Sequence, residues 1–287
     1  MRLTFSAFRN LGLLALAVHS CVRAAPVQEK TSLLEKRGLG VNDWSCKPSA
    51  DKPYSLVLVH GTFFPAAVTN TRFLLKGYSR LWPCASAARD WRHGQIEVSA
   101  AQLSEFVDKV LAATGTTQFD MMGHSQGDLM PLYYIKRLGG AAKVHKIGAL
   151  APITHGTDLL GIVQLGRLLN LYDPVTKVLN EFCASCLQMV YGSDFLKDLH
   201  QDGDTIPGIQ YFYLATKYDE IVTPYTRSFL LQTNANATNA VIQDFCSIDV
   251  AEHVLLFTDP LAFNILENFF SPSATPRTFN CGTLLSK

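Results

Sequence analysis

Gly123-His124-Ser125-Gln126-Gly127 fits the pattern G-x-S-x-G. In that pattern a serine hydroxyl is held out on a sharp turn between a strand and a helix, and the glycines leave room where side chains would strike backbone. A glycine-rich turn with no chemistry would read the same over five residues, so the flanks decide. Phe119 to Met122 is an apolar, strand-like run, and Leu129, Leu132, Tyr133 and Ile135 recur at helical spacing. Ser125 is therefore read as a nucleophile. Such a serine needs a base, a group that orients the base, and donors for a developing oxyanion.

Chain order in this motif is serine, then acid, then histidine. His145 and His155 flank the strand directly after the serine helix, leaving no room for an acid-bearing strand, and His200 lies in the interrupting segment described below. His253, in Asp249-Val250-Ala251-Glu252-His253-Val254, falls after the last strand and is the expected base. The acid is expected just past an earlier strand, and Tyr211 to Ala215 delivers Asp219 there. Glu220, Asp244 and Asp249 are more simply solvated loop carboxylates. The oxyanion donors are expected to be the backbone N–H of Gln126 and that of Thr62, in His60-Gly61-Thr62 after the first core strand. A second copy, His155-Gly156-Thr157, comes too late for that loop and reads as pocket wall or hinge.

Short apolar strands alternating with helices position these residues. Strands are expected at Ser55–Val59, Phe119–Met122, Lys146–Ala151, Tyr211–Ala215 and Val241-Ile242. Helices are expected from Ser99 to Gly115, Leu129 to Leu138 and Leu261 to Phe270. The alternation implies one α/β domain with a mostly parallel sheet covered on both faces. Residues 156–206 break the rhythm with helically spaced leucines and valines, and read as a helical cap. An apolar pocket is expected to be lined by Phe63, Phe64, Leu129 and cap residues.

The N-terminus reads as a secretory leader over residues 1–24: Arg2 and Arg9, an apolar core Leu11–Val18, and the small-residue pattern Val22-Arg23-Ala24. The apolar run falls short of the ~20 residues a membrane span needs. Residues 25–37 read as a pro-peptide ending in Lys36-Arg37, so removing 37 of the 287 residues leaves 250 for the domain, 38–287. Cys21 departs with the leader. Cys46, Cys84, Cys183, Cys186, Cys246 and Cys281 remain, an even number that suits three disulfides in an oxidising compartment. Cys183-Ala-Ser-Cys186 lacks a second ligand pair for zinc and reads as a bridge. Asn236-Ala237-Thr238 is a glycosylation sequon. A net charge of +1 without a basic block argues against a nucleic-acid partner. The expected destination is extracellular.

With these residues placed, the chain resembles the lipase class 2 family of α/β-hydrolases. The resemblance rests on "LVLVHGTF" (56–63), "GHSQG" (123–127), "LGGAAKV" (138–144), "LAPITHGT" (150–157), "ATKYDEIVTPY" (215–225) and "DVAEHVLLFTDPLA" (249–262). It implies the α/β-hydrolase fold and hydrolysis of carboxylic or lipid esters without cofactor or metal, with Ser125, Asp219 and His253 matching the family's triad. It also implies the pairings Cys46–Cys84, Cys183–Cys186 and Cys246–Cys281. The precursor layout looks fungal rather than bacterial. Two features depart from the family. The strand usual after Cys84 is hard to read in "ASAARDWRHGQ" (85–95), and Asp128 stands where the family usually has glycine.

Asp128, in the first turn of the helix after Ser125, could complement the helix dipole by ~0.3–1 kcal/mol. The sharper reading is that its charge opposes the oxyanion and raises the pKa of His253, giving a slowed hydrolase with an activity profile moved to higher pH. Rival readings are a lipid- or ester-binding protein that has lost turnover, with Asp128 the only hint of it, and an acyltransferase using an acceptor other than water.

Overall fold

Side-chain alternation along the short apolar runs settles which face of the sheet each residue serves. In a computed structural model of the chain, residues 42–62, 84–87, 94–158, 169, 176–177, 180–181, 183–231, 236–271 and 277–282 are described. All belong to one compact unit, Leu39–Lys287. The leader, the pro-peptide, Phe63, Phe64 and much of 156–182 lie outside the described residues.

Six strands form the sheet: β1 (Ser55–Val59), β2 (Ala85–Ala87), β3 (Phe119–His124), β4 (Val144–Leu150), β5 (Gln210–Ala215) and β6 (Ala237–Val241). Their order is β2-β1-β3-β4-β5-β6 and every pairing is parallel. The described helices are α1 (Ile96–Thr114), α2 (Leu129–Arg137), α3 (Ala184–Gln188), α4 (Asp194–His200), α5 (Ile242–Phe245) and α6 (Pro260–Phe270), with short 3-10 turns between. This is the parallel α/β sheet expected from the alternation, in the α/β-hydrolase arrangement that the resemblance implies.

Val57, Val59, Met121, Ile147, Ala149, Tyr211 and Tyr213 point to one face, where they pack with Leu103 and Val107 of α1, Leu132 of α2 and Leu199 of α4. Their neighbours Leu56, Leu58, Met122, Leu150 and Leu214 point to the other face, against Ile242 of α5 and Leu261 and Leu266 of α6. The helices begin and end on local signals. Gly115 takes the left-handed φ of 76° that stops α1 and donates its N–H to Leu111 O. Asp259 caps α6 by accepting from Ala262 N at 2.9 Å, with Pro260 at the first helical position.

Two strands differ from the sequence expectation. The strand left uncertain after Cys84 exists as β2, three residues at the sheet edge. The strand expected at Val241-Ile242 lies earlier, at Ala237–Val241, and Ile242 opens α5. The physical reason is its place at the opposite edge. Thr238 and Asn239 are exposed at its centre, so the strand carries no continuous apolar run.

Residues 184–200 were expected to belong to a cap, and here they are scaffold. Leu196 and Leu199 of α4 are buried in the main core, and Lys136 of α2 donates to Leu199 O and Gly203 O and pairs with Asp202. Lifting α4 would expose both leucines at about 1.5–3 kcal/mol each. The disulfides join Cys46 to Cys84, Cys183 to Cys186 and Cys246 to Cys281, the pairings the resemblance implies. No helix among the described residues is long and apolar enough to cross a membrane.

Candidate active site

The strand order reverses around β1. The chain passes from β1 to β2 on one side and then to β3 on the other, leaving a crevice at the C-terminal ends of β1 and β3. His60-Gly61-Thr62 follows β1 and Ser125 follows β3, with Val59 and Gly123 in register between them. Ser125 has φ of 56°, a left-handed conformation that costs a non-glycine residue about 1–3 kcal/mol and turns its side chain out of the strand. The glycines beside it are required by contact. A Cβ on Gly123 would lie 2.1 Å from Gly127 O, and one on Gly127 would lie 2.2 Å from Val59 O. A Cβ on Gly61 would meet the Ser125 Cβ at 3.0 Å.

His253 and Asp219 meet as the chain order anticipates. The His253 Nδ1 lies 2.9 Å from Asp219 Oδ2 and 3.0 Å from Oδ1, and both side chains are buried. Asp219 is itself fixed, because Oδ1 accepts the N–H groups of Ile221 at 3.0 Å and Val222 at 2.7 Å. A carboxylate on Nδ1 keeps the proton there and leaves Nε2 as the basic nitrogen. The His253 ring centroid lies 5.1 Å from that of His124, the residue preceding Ser125, and His124 Nε2 donates to His253 O at 2.9 Å. Burial, then the neighbouring His253, depresses His124 to about 3, so it serves as a neutral brace. Ser125 Oγ and His253 make no direct hydrogen bond in this structure. Contacts between nucleophile and base commonly tighten only when substrate is bound.

Thr62 and Gln126 face one another. The Thr62 hydroxyl donates to Gln126 Oε1, and both residues are buried. Neither backbone N–H donates to another group among the described residues, which leaves two amides beside the serine. Leu129 is fully buried within the core under α2.

Asp128 is fully buried rather than displayed on a helix surface, and its side chain does not cap α2. It accepts from the Tyr213 hydroxyl and is bonded to Thr154 Oγ1 at 2.9 Å. Burial pushes its carboxyl up to about 7 despite these hydrogen bonds. Thr154 Oγ1 is also 2.9 Å from Ser228 O. One hydroxyl proton cannot serve two acceptors. A protonated Asp128 donating to Thr154, which in turn donates to Ser228 O, satisfies every partner.

Several positioning residues escaped sequence reasoning. Thr216 Oγ1 donates to Ala251 O at 2.6 Å, and Gln243 Nε2 donates to Thr216 Oγ1 at 2.9 Å and Asp249 O at 3.1 Å. Gln243 Oε1 accepts from Lys217 N at 2.9 Å. Together they tie the loop carrying Asp219 to the loop carrying His253. Thr157, in the second His-Gly-Thr, donates to Ile221 O at 2.6 Å and receives Thr223 N at 3.2 Å, holding the segment after Asp219. The repeated tripeptide was the signal available for Thr157; for Gln243 there was none.

The sequence model of a family described as Lipase (class 2) matches residues 54–261. "Lipase lipl-3" of Caenorhabditis elegans is 35% identical over 82 residues, 28% of this chain and 20% of that protein, so the match spans about a fifth of that relative. Among solved structures, Aspergillus fumigatus lipase B superposes with a TM-score of 0.58 at 15% identity, covering 81% of this chain and 59% of that one. Bacillus licheniformis lipase BlEst2 in mature form gives 0.57 at 14% identity, covering 78% and 94%. At such identities the superpositions establish the fold alone.

Proposed function

This chain belongs to the class 2 lipase family, and from that premise we propose that it is a secreted serine hydrolase cleaving carboxylic esters of lipids. Ser125 attacks the ester carbonyl while His253 Nε2 takes its proton, and Asp219 holds the imidazole in the required tautomer and balances its charge. The tetrahedral oxyanion is received by the N–H groups of Thr62 and Gln126, each such donor being worth about 10²–10³ in turnover. His253 then protonates the leaving alcohol. Water, activated by the same imidazole, frees the acid and restores the serine.

The observation that carries this reading is the strained Ser125 turn, braced through His124 to an imidazole that is itself fixed by Asp219. Phe63 and Phe64 are assigned to the acyl pocket because they directly follow Thr62 in sequence. Leu129 is assigned to the pocket floor beneath the serine helix, behind the surface that substrate meets. Secretion, with removal of residues 1–24 and cleavage after Lys36-Arg37, is supported by the three disulfides. A glycan on Asn236 is compatible with its exposed place at the start of β6.

A fluorophosphonate reagent tests the mechanism. Covalent capture at Ser125, with hydrolysis of a graded series of ester chain lengths, is the expected result. Capture without turnover would identify the ester-binding rival, transfer to an added alcohol in preference to water would identify an acyltransferase, and no capture would remove the serine mechanism altogether.

A further inference from the structure

Among the described residues outside the serine site, one part-buried cluster of ring nitrogens and carboxylate oxygens has no part in ester chemistry. His155 follows β4, His200 ends α4, and Asp204 lies in the connection from α4 to β5. His155 Nε2 is 3.0 Å from Asp204 Oδ2, and His200 Nδ1 is 2.8 Å from Asp204 Oδ1. The ligand-capable atoms of all three residues lie within 4.8 Å of one another, and the two rings have centroids 4.3 Å apart.

The second nitrogen of His200 decides what the cluster is for. His200 Nε2 lies 2.8 Å from Thr154 O, and a carbonyl only accepts, so the Nε2 proton is spoken for. Nδ1 therefore faces a carboxylate oxygen at 2.8 Å, lone pair towards lone pair, unless a cation sits between them. A proton can fill that role, and so can a metal ion. A metal-ligating histidine characteristically donates its other ring N–H to a backbone carbonyl, which fixes the tautomer and aims the free lone pair. His200 and Thr154 make that arrangement.

We propose that His155, His200 and Asp204 form a zinc site that clamps the α4–β5 connection to the end of β4. Two imidazoles and one carboxylate suit zinc, whereas calcium and magnesium prefer all-oxygen shells. Zinc bonds of about 2.0–2.1 Å in a tetrahedron separate ligand atoms by about 3.3 Å, so the two histidine–carboxylate separations of 3.0 and 2.8 Å have each to open by a few tenths of an ångström. The fourth position falls to water, because His155 and His200 keep 17% and 11% of their side chains exposed while Asp204 is closed off at 2%. The ion is structural. It takes no part in ester cleavage, but it alters the expectation from the sequence that the protein uses no metal.

The test uses the mature enzyme, stripped with a chelator, dialysed, and titrated with Zn²⁺ alone. One zinc per chain by elemental analysis, with a rise in Tm that Mg²⁺ does not reproduce, is expected. Co²⁺ in place of zinc should give visible ligand-field bands. His155→Gln and His200→Gln should each weaken Zn²⁺ binding by at least about 100-fold, while His253→Ala should leave it unchanged, separating this site from the serine site. Failure to retain zinc, absence of Co²⁺ bands in the unmutated enzyme, wild-type affinity in both glutamine variants, or loss of binding in His253→Ala would each overturn the proposal. The Co²⁺ spectrum needs no variant, so it decides the matter even if the glutamine variants do not fold.

Discussion

Asp128→Asn is the most informative single substitution, because the side chain it makes is a permanent copy of the protonated acid. The Asn carbonyl can accept from Tyr213, and its amide can donate to Thr154 Oγ1, freeing the Thr154 hydroxyl for Ser228 O. The wild-type carboxyl is raised to about 7 by burial, against about 3.9 in an unfolded chain. With the folded value above the unfolded one, the native state binds more protons between the two, and stability falls as pH rises. The contribution is complete below about pH 4 and lost once pH passes about 7. At about 1.4 kcal/mol per unit, the full span is about 4 kcal/mol. Between about pH 5 and about pH 8.5 the gap in favour of Asp128→Asn should widen by about 2–3 kcal/mol. For a domain of this size that is about 4–12 °C in Tm. Thermal unfolding of both proteins across this range is the assay. Parallel Tm curves, with a gap that does not change with pH, would refute the argument that this carboxyl is stored in its neutral form.

The same proton limits the effect of Asp128 on activity. pH–rate profiles of wild type and Asp128→Gly should coincide below about pH 7, where the acid is neutral, and separate above it, with the wild type slower; identical profiles throughout would remove any influence on His253. Ser125→Gly should abolish ester turnover while raising stability by about 1 kcal/mol in denaturant titration, since glycine relieves the φ of 56°. Gly127→Ala should destabilise by at least about 1–3 kcal/mol, its Cβ striking Val59 O, whereas Gly94→Ala, with nothing within 4 Å, should stay within about 0.5 kcal/mol. Removing Cys246–Cys281, which closes a separation of 35 residues, should cost about 4 kcal/mol by chain entropy, against about 1.5 for Cys183–Cys186 with a separation of 3; calorimetry of Cys→Ser pairs checks the order.

What could be read from the sequence follows from how local each determinant is. The serine turn is written in five consecutive residues, because every contact that demands glycine lies within that turn or on the adjacent strand. The buried central strands were equally legible, since parallel strands covered on both faces are continuous apolar runs. The two edges were not. β2 is three small residues and β6 is interrupted by the exposed Thr238 and Asn239, because an edge strand buries little and owes its place to backbone pairing. The segment 184–200 misled for the converse reason. It falls within the cap expected over 156–206, but sequence order does not reveal whether a helix lies over a pocket or, like α4, against the main core.

Asp128 shows the same limit at a single residue. From spacing alone it belonged on the first turn of a helix with its charge in solvent or near the serine. Burial raises its carboxyl against the pull of two hydroxyl partners from β5 and the β4 loop, and no sequence signal carries that information. The pairing of Asp219 with His253 depends on distant parts of the chain in the same way. Asp219 follows β5, His253 follows an edge strand interrupted by polar residues, and their meeting rests on Thr216 and Gln243 bridging the two loops. Gln243→Ala removes one donor from Thr216 Oγ1 and takes that side chain from the Asp249 carbonyl and the Lys217 N–H, and should loosen His253 without touching the serine turn. Ser125 is therefore secured by packing of the central sheet, and His253 by side-chain hydrogen bonds at its margin. His253 is the half of the proposed site that small changes can detune first.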